Sequence, residues 1–212
     1  MRRTSTKTID PKKTAVLVID FQNDFCHRRN VFEAKFSRNR KAAEKTFKFI
    51  EEAKKKGIGC IFTQQIYDES KLSKRQERYY AKQKVIPCKK GSFGAKYFKF
   101  NPPKDYLFTK YNFDIWQNKQ FMKFLDKNNI DSLIITGVEL TCCVLFAILG
   151  ADERGFNIII PRDLVSENDS WTEEYNSLLK ILDRLYGPLT TSKEILKSWS
   201  IVHGESLDRK PI

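Results

Sequence analysis

The sequence predicts an α/β domain of three layers, in which helices cover both faces of a mainly parallel six-stranded sheet. Short, nearly continuous apolar runs recur along the chain, and such runs are typical of strands that are buried on both faces of a parallel sheet. Amphipathic helical patterns lie between these runs. Because crossovers between parallel strands are right-handed, we expect the strand order 3-2-1-4-5-6.

The first half of the chain predicts three strands and one long helix. The helix has an apolar face of Ala43, Phe47, Ile50 and Ala53 and stops at Gly57. A polar connection over 64–104 is expected to hold short helices and to cover the functional site. The predicted bounds are 14–19, 58–63 and 105–109 for the strands and 39–56 for the helix.

The second half alternates helices and strands. Asn118 and Ser192 are predicted to cap helices, and Gly155 is predicted to end one as a left-handed residue. The predicted helices cover 118–128, 141–154 and 171–186, with a last one running through Trp199. The predicted strands cover 132–136, 157–160 and 189–191.

Length and composition predict one domain. A chain of 212 residues with 41% hydrophobic residues can bury a full core, and no Ser-, Gly- or Pro-rich linker divides it. We expect a basic lead over 1–13, the domain over 14–200 and a tail over 201–212. No apolar run approaches the ~20 residues of a membrane span, and the lead has no apolar segment of a secretory signal. A cytoplasmic protein without a membrane partner is expected.

Cysteine usage and charge exclude several classes. The five cysteines show no C-x-x-C spacing, which argues against a disulfide framework and a structural zinc site. His27 and His203 lie far apart, outside any metal-binding motif. The net charge of +13 would attract nucleic acid nonspecifically or steer anionic substrates. Because no aromatic-basic motif accompanies it, no specific nucleic-acid partner is expected. We expect no cofactor and no bound metal.

Two residues at predicted strand ends are candidates for chemistry. Cys143 lies in the first turn of the helix after strand 132–136, at the sheet edge where open α/β folds bind ligands. The helix dipole there favours a thiolate, although free cysteines are commonly inert small hydrophobes. Asp20 directly follows strand 14–19 and is either a turn residue or a catalytic carboxylate.

Three motifs carry a resemblance to a known family. The run from Gly137 reads Gly-Val-Glu-Leu-Thr-Cys-Cys-Val, the run from Asp20 reads Asp-Phe-Gln-Asn-Asp-Phe, and the run from Lys110 reads Lys-Tyr-Asn-Phe-Asp-Ile-Trp. They resemble the motifs of the isochorismatase-like cysteine hydrolases, with one departure, Leu140 in place of the usual Thr. The resemblance extends from Thr14 to Trp199.

The resemblance implies roles for these positions. Cys143 is the nucleophile, Asp20 the general base and acid, and Lys110 the third catalytic residue. The oxyanion is held by the backbone N–H groups of Cys143 and Glu139, the latter after a cis peptide bond. For Phe113 and Trp116, core and pocket interpretations are equally open. The side chains expected to bind substrate are Phe25, Tyr67, Phe93, Phe113 and Trp116.

A second departure from the family concerns the positions that bind a metal in the nicotinamidase branch. At the positions of its ligands this chain has Gln65, Tyr67 and Pro87, which cannot build the imidazole and carboxylate site that zinc or iron prefers. Since that metal grips the pyridine nitrogen in the family, nicotinamide itself is in doubt as substrate.

These observations predict a metal-free amidohydrolase that cleaves a small amide or carbamoyl C–N bond through a thioester. A homodimer or homotetramer is expected. One alternative is a binding or scaffold protein that kept the fold and lost turnover. An enol ether hydrolase acting on isochorismate is disfavoured, because such family members lack the cysteine. A redox protein using Cys142 and Cys143 ranks last, because adjacent cysteines bridge with strain.

Overall fold

The computed structural model describes residues 10–83, 85–186 and 188–199. Its strands are β1 (Thr14–Ile19), β2 (Gly59–Gln65), β3 (Leu107–Lys110), β4 (Ser132–Gly137) and β5 (Asn157–Ile159). Its α-helices are α1 (Asn23–Cys26), α2 (Ser37–Lys55), α3 (Lys74–Gln83), α4 (Lys119–Lys127), α5 (Leu145–Asp152), α6 (Thr172–Tyr186) and α7 (Ser192–Trp199). Short 3-10 helices cover Glu69–Lys71, Lys104–Tyr106 and Ile115–Gln117, and a π-helical turn covers Leu140–Val144.

The strands form one parallel sheet in the order β3-β2-β1-β4-β5. The predicted α/β class and the order of the first five strands are confirmed. The carboxyl ends meet at one edge, where Ile19 pairs with Thr63 on one side and with Gly137 on the other. Gly137 has a φ of +132°, and a Cβ there would collide with the carbonyl of Ile19. Glycine therefore lets the chain leave β4 close against β1.

The sixth strand is absent from the described residues. Thr190 forms a single parallel bridge with Pro161, so the expected strand is reduced to one residue beside the end of β5. The reason lies in the next residue. The N–H of Thr191 donates to Glu194 Oε2 at 2.7 Å, and Thr191 Oγ1 accepts from the N–H of Glu194 at 3.3 Å. This reciprocal pair starts α7 immediately and leaves no backbone for a strand.

The same pair corrects the predicted helix cap. Ser192 lies inside α7 and donates its hydroxyl to Asp163 Oδ2 at 2.6 Å, whereas Thr191 makes the capping bond. Asn118 caps α4 as predicted, accepting from the N–H groups of Gln120 and Phe121. Gly155 has the left-handed φ of +76° expected after a helix.

Side-chain alternation along the central strands builds a core on each face of the sheet. Ala15, Leu17 and Ile19 of β1 pack in a cluster with α4, α5 and α6, while Val16 and Val18 pack in a cluster with α2 and α7. This period of two confirms the three layers and explains why β1 reads as an uninterrupted apolar run. Each fully buried aliphatic side chain contributes roughly 1.5–3 kcal/mol.

Candidate active site

Asp20 leaves β1 in an unusual backbone conformation that points its carboxylate into the edge of the sheet. Its φ is +51°, in the left-handed region that Asp tolerates better than most residues. The side chain is 0% exposed. Thr63 Oγ1 donates to Oδ1 at 2.7 Å, and Lys110 Nζ lies 2.7 Å from Oδ2. The strand end therefore holds the carboxylate between a hydroxyl and an ammonium.

Lys110 is the last residue of β3 and directs its ammonium to the centre of the cluster. It lies opposite Gln65 in the register of β2 and β3. Besides the ion pair with Asp20, Nζ donates to Gln65 Oε1 at 2.7 Å, to the carbonyl of Asn112 at 3.1 Å and to Cys143 Sγ at 3.1 Å. With 3% of its surface exposed, Lys110 is held in place by partners rather than by water.

Cys143 lies in the π-helical turn Leu140–Val144, where sequence analysis predicted the start of an α-helix. The carbonyl of Glu139 accepts from the N–H of Cys142 at 3.1 Å and from that of Val144 at 3.2 Å. The N–H of Cys143, which lies between these donors, takes no part in the two bonds. Leu140, the departure from the family motif, is the first residue of this turn and is fully buried in the core.

The loop before the turn also has the backbone that the resemblance implies. The peptide bond between Val138 and Glu139 is cis. The N–H of Val138 donates to the carbonyl of Ile19 at 3.1 Å, and that of Leu140 donates to the carbonyl of Ser166 at 2.8 Å. These two bonds fix the peptides on either side of the Glu139 N–H.

The electrostatics of the cluster differ from the expectation that a helix start favours thiolate. Burial raises the pKa of the Cys143 thiol well above its usual value, and the opposing effect of Lys110 is smaller. Burial by itself lowers the pKa of Lys110, but Asp20 and Cys143 together more than offset it, so the pKa of Lys110 is raised. The resting site therefore contains a neutral thiol beside a carboxylate and ammonium pair. The predicted preference for thiolate is wrong because the thiol is buried.

A second pair of carboxyl groups lies under the loop that carries Cys143. Glu139 accepts from Asn39 Nδ2 at 2.6 Å and from the N–H of Asn168 at 2.7 Å. Glu167 accepts from the same N–H at 3.0 Å and from the N–H and hydroxyl of Thr141 at 2.9 and 2.7 Å. Burial and the hydrogen bond with Glu167 raise the pKa of Glu139 well above its usual value. The hydrogen bonds accepted by the two carboxyl groups help to hold the loop.

Replacing Glu139 with glutamine should make stability less dependent on pH. Glu139 keeps its proton in the folded protein but loses it near pH 4.3 when unfolded, so wild-type stability falls as pH rises from there towards the raised pKa. The amide of glutamine does not titrate. Between pH 5 and 8 we therefore expect wild type to lose more free energy of unfolding than Glu139→Gln. Urea unfolding at both pH values measures it, with exposed Glu44→Gln as control. Parallel curves for wild type and Glu139→Gln would contradict the raised pKa of Glu139.

The expected substrate-binding residues fall in different surroundings. Tyr67 is 4% exposed, packs edge-on against Tyr80 and lies close enough to Cys143 for the thiol to affect its pKa. Phe25 is half-buried and packs against the small cluster of Tyr67, Cys88 and Ala95. Tyr67 thus lies near Cys143, and Phe25 packs against the small cluster that contains Tyr67.

Phe113 and Phe93 lie nearer the protein surface, whereas Trp116 is buried. Phe113 is 40% exposed and faces Phe146. Trp116 is 5% exposed, and its indole N–H donates to the carbonyl of Ala147 at 3.1 Å, which favours the core interpretation. Phe93 is 47% exposed and packs edge-on against His27. It lines two surface cavities of about 720 and 540 Å³, and neither is lined by Asp20, Lys110 or Cys143.

Sequence analysis missed the role of Gln22, a polar residue that supports the cluster. Gln22 donates to the carbonyls of Gln65 and Ala95 at 2.9 and 2.8 Å and accepts from the N–H of Gln65 at 2.8 Å. It therefore ties β1, β2 and a loop together. Asp24 accepts from the N–H groups of Cys88 and Val31. Gln22 and Asp24 stand in the motif that begins at Asp20, so their spacing was the signal available.

The residues at the metal-ligand positions of the nicotinamidase branch do not fit a metal ion. Gln65 Oε1 accepts from the Lys110 ammonium, and Tyr67 is paired with Tyr80. Pro87 has no side-chain donor atom. Within the described ranges, no group of three His, Cys, Asp or Glu side chains is placed to hold a metal. An ammonium beside Gln65 would also repel a cation.

Fold and site together define the class of this protein. It is an open parallel α/β domain with a carboxylate, an ammonium and a buried thiol clustered at the carboxyl edge of the sheet. The chain belongs to the isochorismatase family, because the model of the isochorismatase domain matches residues 14–194.

Similar proteins carry hydrolase names. A probable inactive nicotinamidase of Arabidopsis thaliana is 29% identical over 140 residues, which cover 63% of this chain and 69% of that protein. An N-carbamoylsarcosine amidase of an Arthrobacter species is 24% identical over 152 residues, which cover 69% of this chain and 57% of the relative. The crystal structure of a cysteine hydrolase from Pseudomonas syringae pv. phaseolicola superposes with a TM-score of 0.79 at 18% identity, covering 91% of this chain and 94% of the other.

Further features bear on the alternatives. All five cysteines are free, Cys142 and Cys143 included, so the described structure contains no bond between the adjacent thiols. None of the helices in the described ranges has the length and apolar character needed to span a bilayer. The expected homodimer or homotetramer and the cytoplasmic location stay predictions.

Proposed function

We propose that this protein is a hydrolase that cleaves a small amide or carbamoyl C–N bond through a thioester with Cys143. One observation carries the proposal: the Lys110 ammonium contacts both the Asp20 carboxylate, at 2.7 Å, and the Cys143 sulfur, at 3.1 Å. Residues from β1, β3 and the turn after β4 thus meet around one nitrogen. A base, a charge stabiliser and a nucleophile are the groups that acyl transfer needs.

The first half-reaction follows from the protonation states. The Cys143 sulfur and the Asp20 carboxylate both contact the Lys110 ammonium. The neutral thiol transfers its proton to this carboxylate as sulfur attacks the carbonyl carbon. Lys110 stabilises the developing thiolate. Asp20 then gives this proton to the leaving nitrogen, so that the C–N bond breaks, ammonia or an amine departs and the acyl group stays on sulfur.

The second half-reaction reverses these roles. Water takes the place of the departed amine, and Asp20 removes a proton as the water oxygen attacks the thioester. The C–S bond breaks, the acid is released and the proton returns to sulfur. In both halves the backbone N–H groups of Glu139 and Cys143 would hold the oxyanion, the role that the family resemblance implies for them.

The comparisons support this reaction class. The Arthrobacter relative is named an amidase that acts on N-carbamoylsarcosine, and both that name and the nicotinamidase name describe cleavage at a C–N bond. The 5% exposure of Cys143 favours a small substrate, because a large acyl group could not reach a buried sulfur.

A scaffold without turnover is the second candidate. The buried neutral thiol and the description of the Arabidopsis relative as probably inactive favour it. It differs from the enzyme in one measurable respect, because a scaffold forms no acyl adduct on Cys143.

Ammonia release from a panel of small primary amides, ureido acids and nicotinamide tests the proposal. We expect release from at least one member, together with an acyl adduct on the peptide containing Cys143 after acid quenching and mass spectrometry. Metal analysis of the same sample shows whether the active protein contains a metal ion. A folded protein that releases no ammonia and gains no acyl mass with any member would favour the scaffold.

A further inference from the structure

Gln65 presents a buried hydrogen-bond donor beside the catalytic cluster. Its backbone N–H and carbonyl are both bound by the side chain of Gln22, at 2.8 and 2.9 Å. Its side-chain oxygen accepts from Lys110 Nζ at 2.7 Å. Because an ammonium can only donate, the amide oxygen must face Lys110, and this fixes the direction of the NH₂ group. Gln65 is therefore anchored at both ends.

The NH₂ group of Gln65 has no partner. Gln65 is 1% exposed, and its Nε2 atom finds no hydrogen-bond acceptor among the described residues. Leaving a buried donor unsatisfied costs free energy, so such groups in native structures call for an explanation. The neighbouring Gln64 shows the contrast, because its Nε2 donates to the carbonyl of Ala95 at 2.7 Å.

The position of this donor connects it to the substrate. Gln65 Oε1 and Cys143 Sγ lie 2.7 and 3.1 Å from the same ammonium nitrogen, so the Gln65 amide belongs to the same cluster as the sulfur. A cation or a second donor placed there would face both this group and Lys110. An acceptor atom would satisfy the orphan donor.

We propose that Gln65 binds the substrate directly, donating from Nε2 to an acceptor atom that lies next to the scissile amide. The substrate class is then a small amide with a second acceptor, such as a ring nitrogen, a ureido oxygen or a carboxylate. This inference rests on the proposed function for the identity of the site. Its physical content is a donor that selects acceptors, and binding alone can test it.

The test compares matched ligands in a protein that cannot turn them over. In a Cys143→Ala background, titration calorimetry measures binding of benzamide against picolinamide, nicotinamide and isonicotinamide, which replace one ring CH with nitrogen. It also measures butyramide against succinamate, which adds a carboxylate. We expect at least one acceptor ligand to bind at least about tenfold more tightly than its matched partner, a factor equivalent to about 1.4 kcal/mol.

Variants assign this preference to the amide. Adding Gln65→Met, which removes the donor, or Gln65→Glu, which replaces it with an acceptor, should abolish the preference, while Gln64→Met should retain it. In the enzyme with Cys143 intact, Gln65→Met should raise KM for the acceptor substrate more than it lowers kcat. Circular dichroism confirms that each variant is folded.

Two results would overturn the inference: no preference for acceptor ligands, including no binding by any of them, or a preference that survives Gln65→Met. Failure of the proposed function is distinguishable. A preference dependent on Gln65 in a protein that releases no ammonia would uphold the binding site and reject the reaction. Ammonia release without any preference would reject the role of Gln65 alone.

Discussion

Replacing Cys143 with alanine is expected to lower the rate of ammonia release at least about 10⁴-fold, because it removes the atom that forms the thioester. The fold should survive. Cys143 packs among apolar residues, and its sulfur accepts a hydrogen bond from Lys110 Nζ. The loss should therefore appear in kcat, with the folded fraction unchanged. Initial rates by a coupled ammonia assay, with circular dichroism of the same samples, measure both quantities.

The adjacent cysteine provides a matched control for this change. Cys142 is half-buried and its side-chain contact is with Thr141, so Cys142→Ala should release ammonia at close to the wild-type rate. If both variants hydrolyse the substrate at the wild-type rate, the thioester mechanism is wrong. If both variants lose activity equally while folded, the turn rather than the thiol carries the effect.

Features that the sequence encodes locally were predictable. The apolar run of β1 ends abruptly at Asp20, so its bounds were found as 14–19, the limits that the structure shows. The order of the five strands followed from right-handed crossovers. The meeting of Asp20, Lys110 and Cys143 followed from their positions after three parallel strands, because the carboxyl ends of those strands share an edge.

Features that depend on distant partners were not predictable. The raised pKa of Cys143 arises from burial by the whole fold, whereas sequence analysis could weigh only the local effect of a helix start. The donor of Gln65 is oriented by Lys110, which lies 45 positions away. The sixth strand was expected from only three residues, Leu189 to Thr191, and the capping bond between Thr191 and Glu194 prevailed over it.

Replacing Lys110 with methionine is expected to abolish turnover and also to destabilise the fold by roughly 3–5 kcal/mol, because it leaves the buried charge of Asp20 without its partner. Asp20 is 0% exposed and retains one donor, the hydroxyl of Thr63. Urea unfolding of Lys110→Met and wild type at the same pH measures the difference.

An exposed ion pair of the same length separates burial from distance. Lys55 Nζ lies 2.7 Å from Glu52 Oε1, the same distance that separates Lys110 Nζ from Asp20 Oδ2. The side chains of Lys55 and Glu52 are 68% and 49% exposed, whereas those of Lys110 and Asp20 are 2% and 0% exposed. Lys55→Met should therefore change stability little, because water replaces the lost partner. If both lysine variants lose the same free energy of unfolding, burial does not set the strength of the pair.

A double variant then separates the charge from the packing. Adding Asp20→Asn to Lys110→Met removes the unpaired charge while keeping the shape of the side chain and an oxygen to accept from Thr63. The double variant should be more stable than Lys110→Met alone. The stability lost in Lys110→Met plus that lost in Asp20→Asn should exceed the stability lost in the double variant, which is the signature of directly coupled groups. Turnover should stay absent, because the site would then lack both the proton acceptor and the ammonium. Additive losses would show that Asp20 and Lys110 act independently, and the proposed transfer of the Cys143 proton to Asp20 would lose its electrostatic basis.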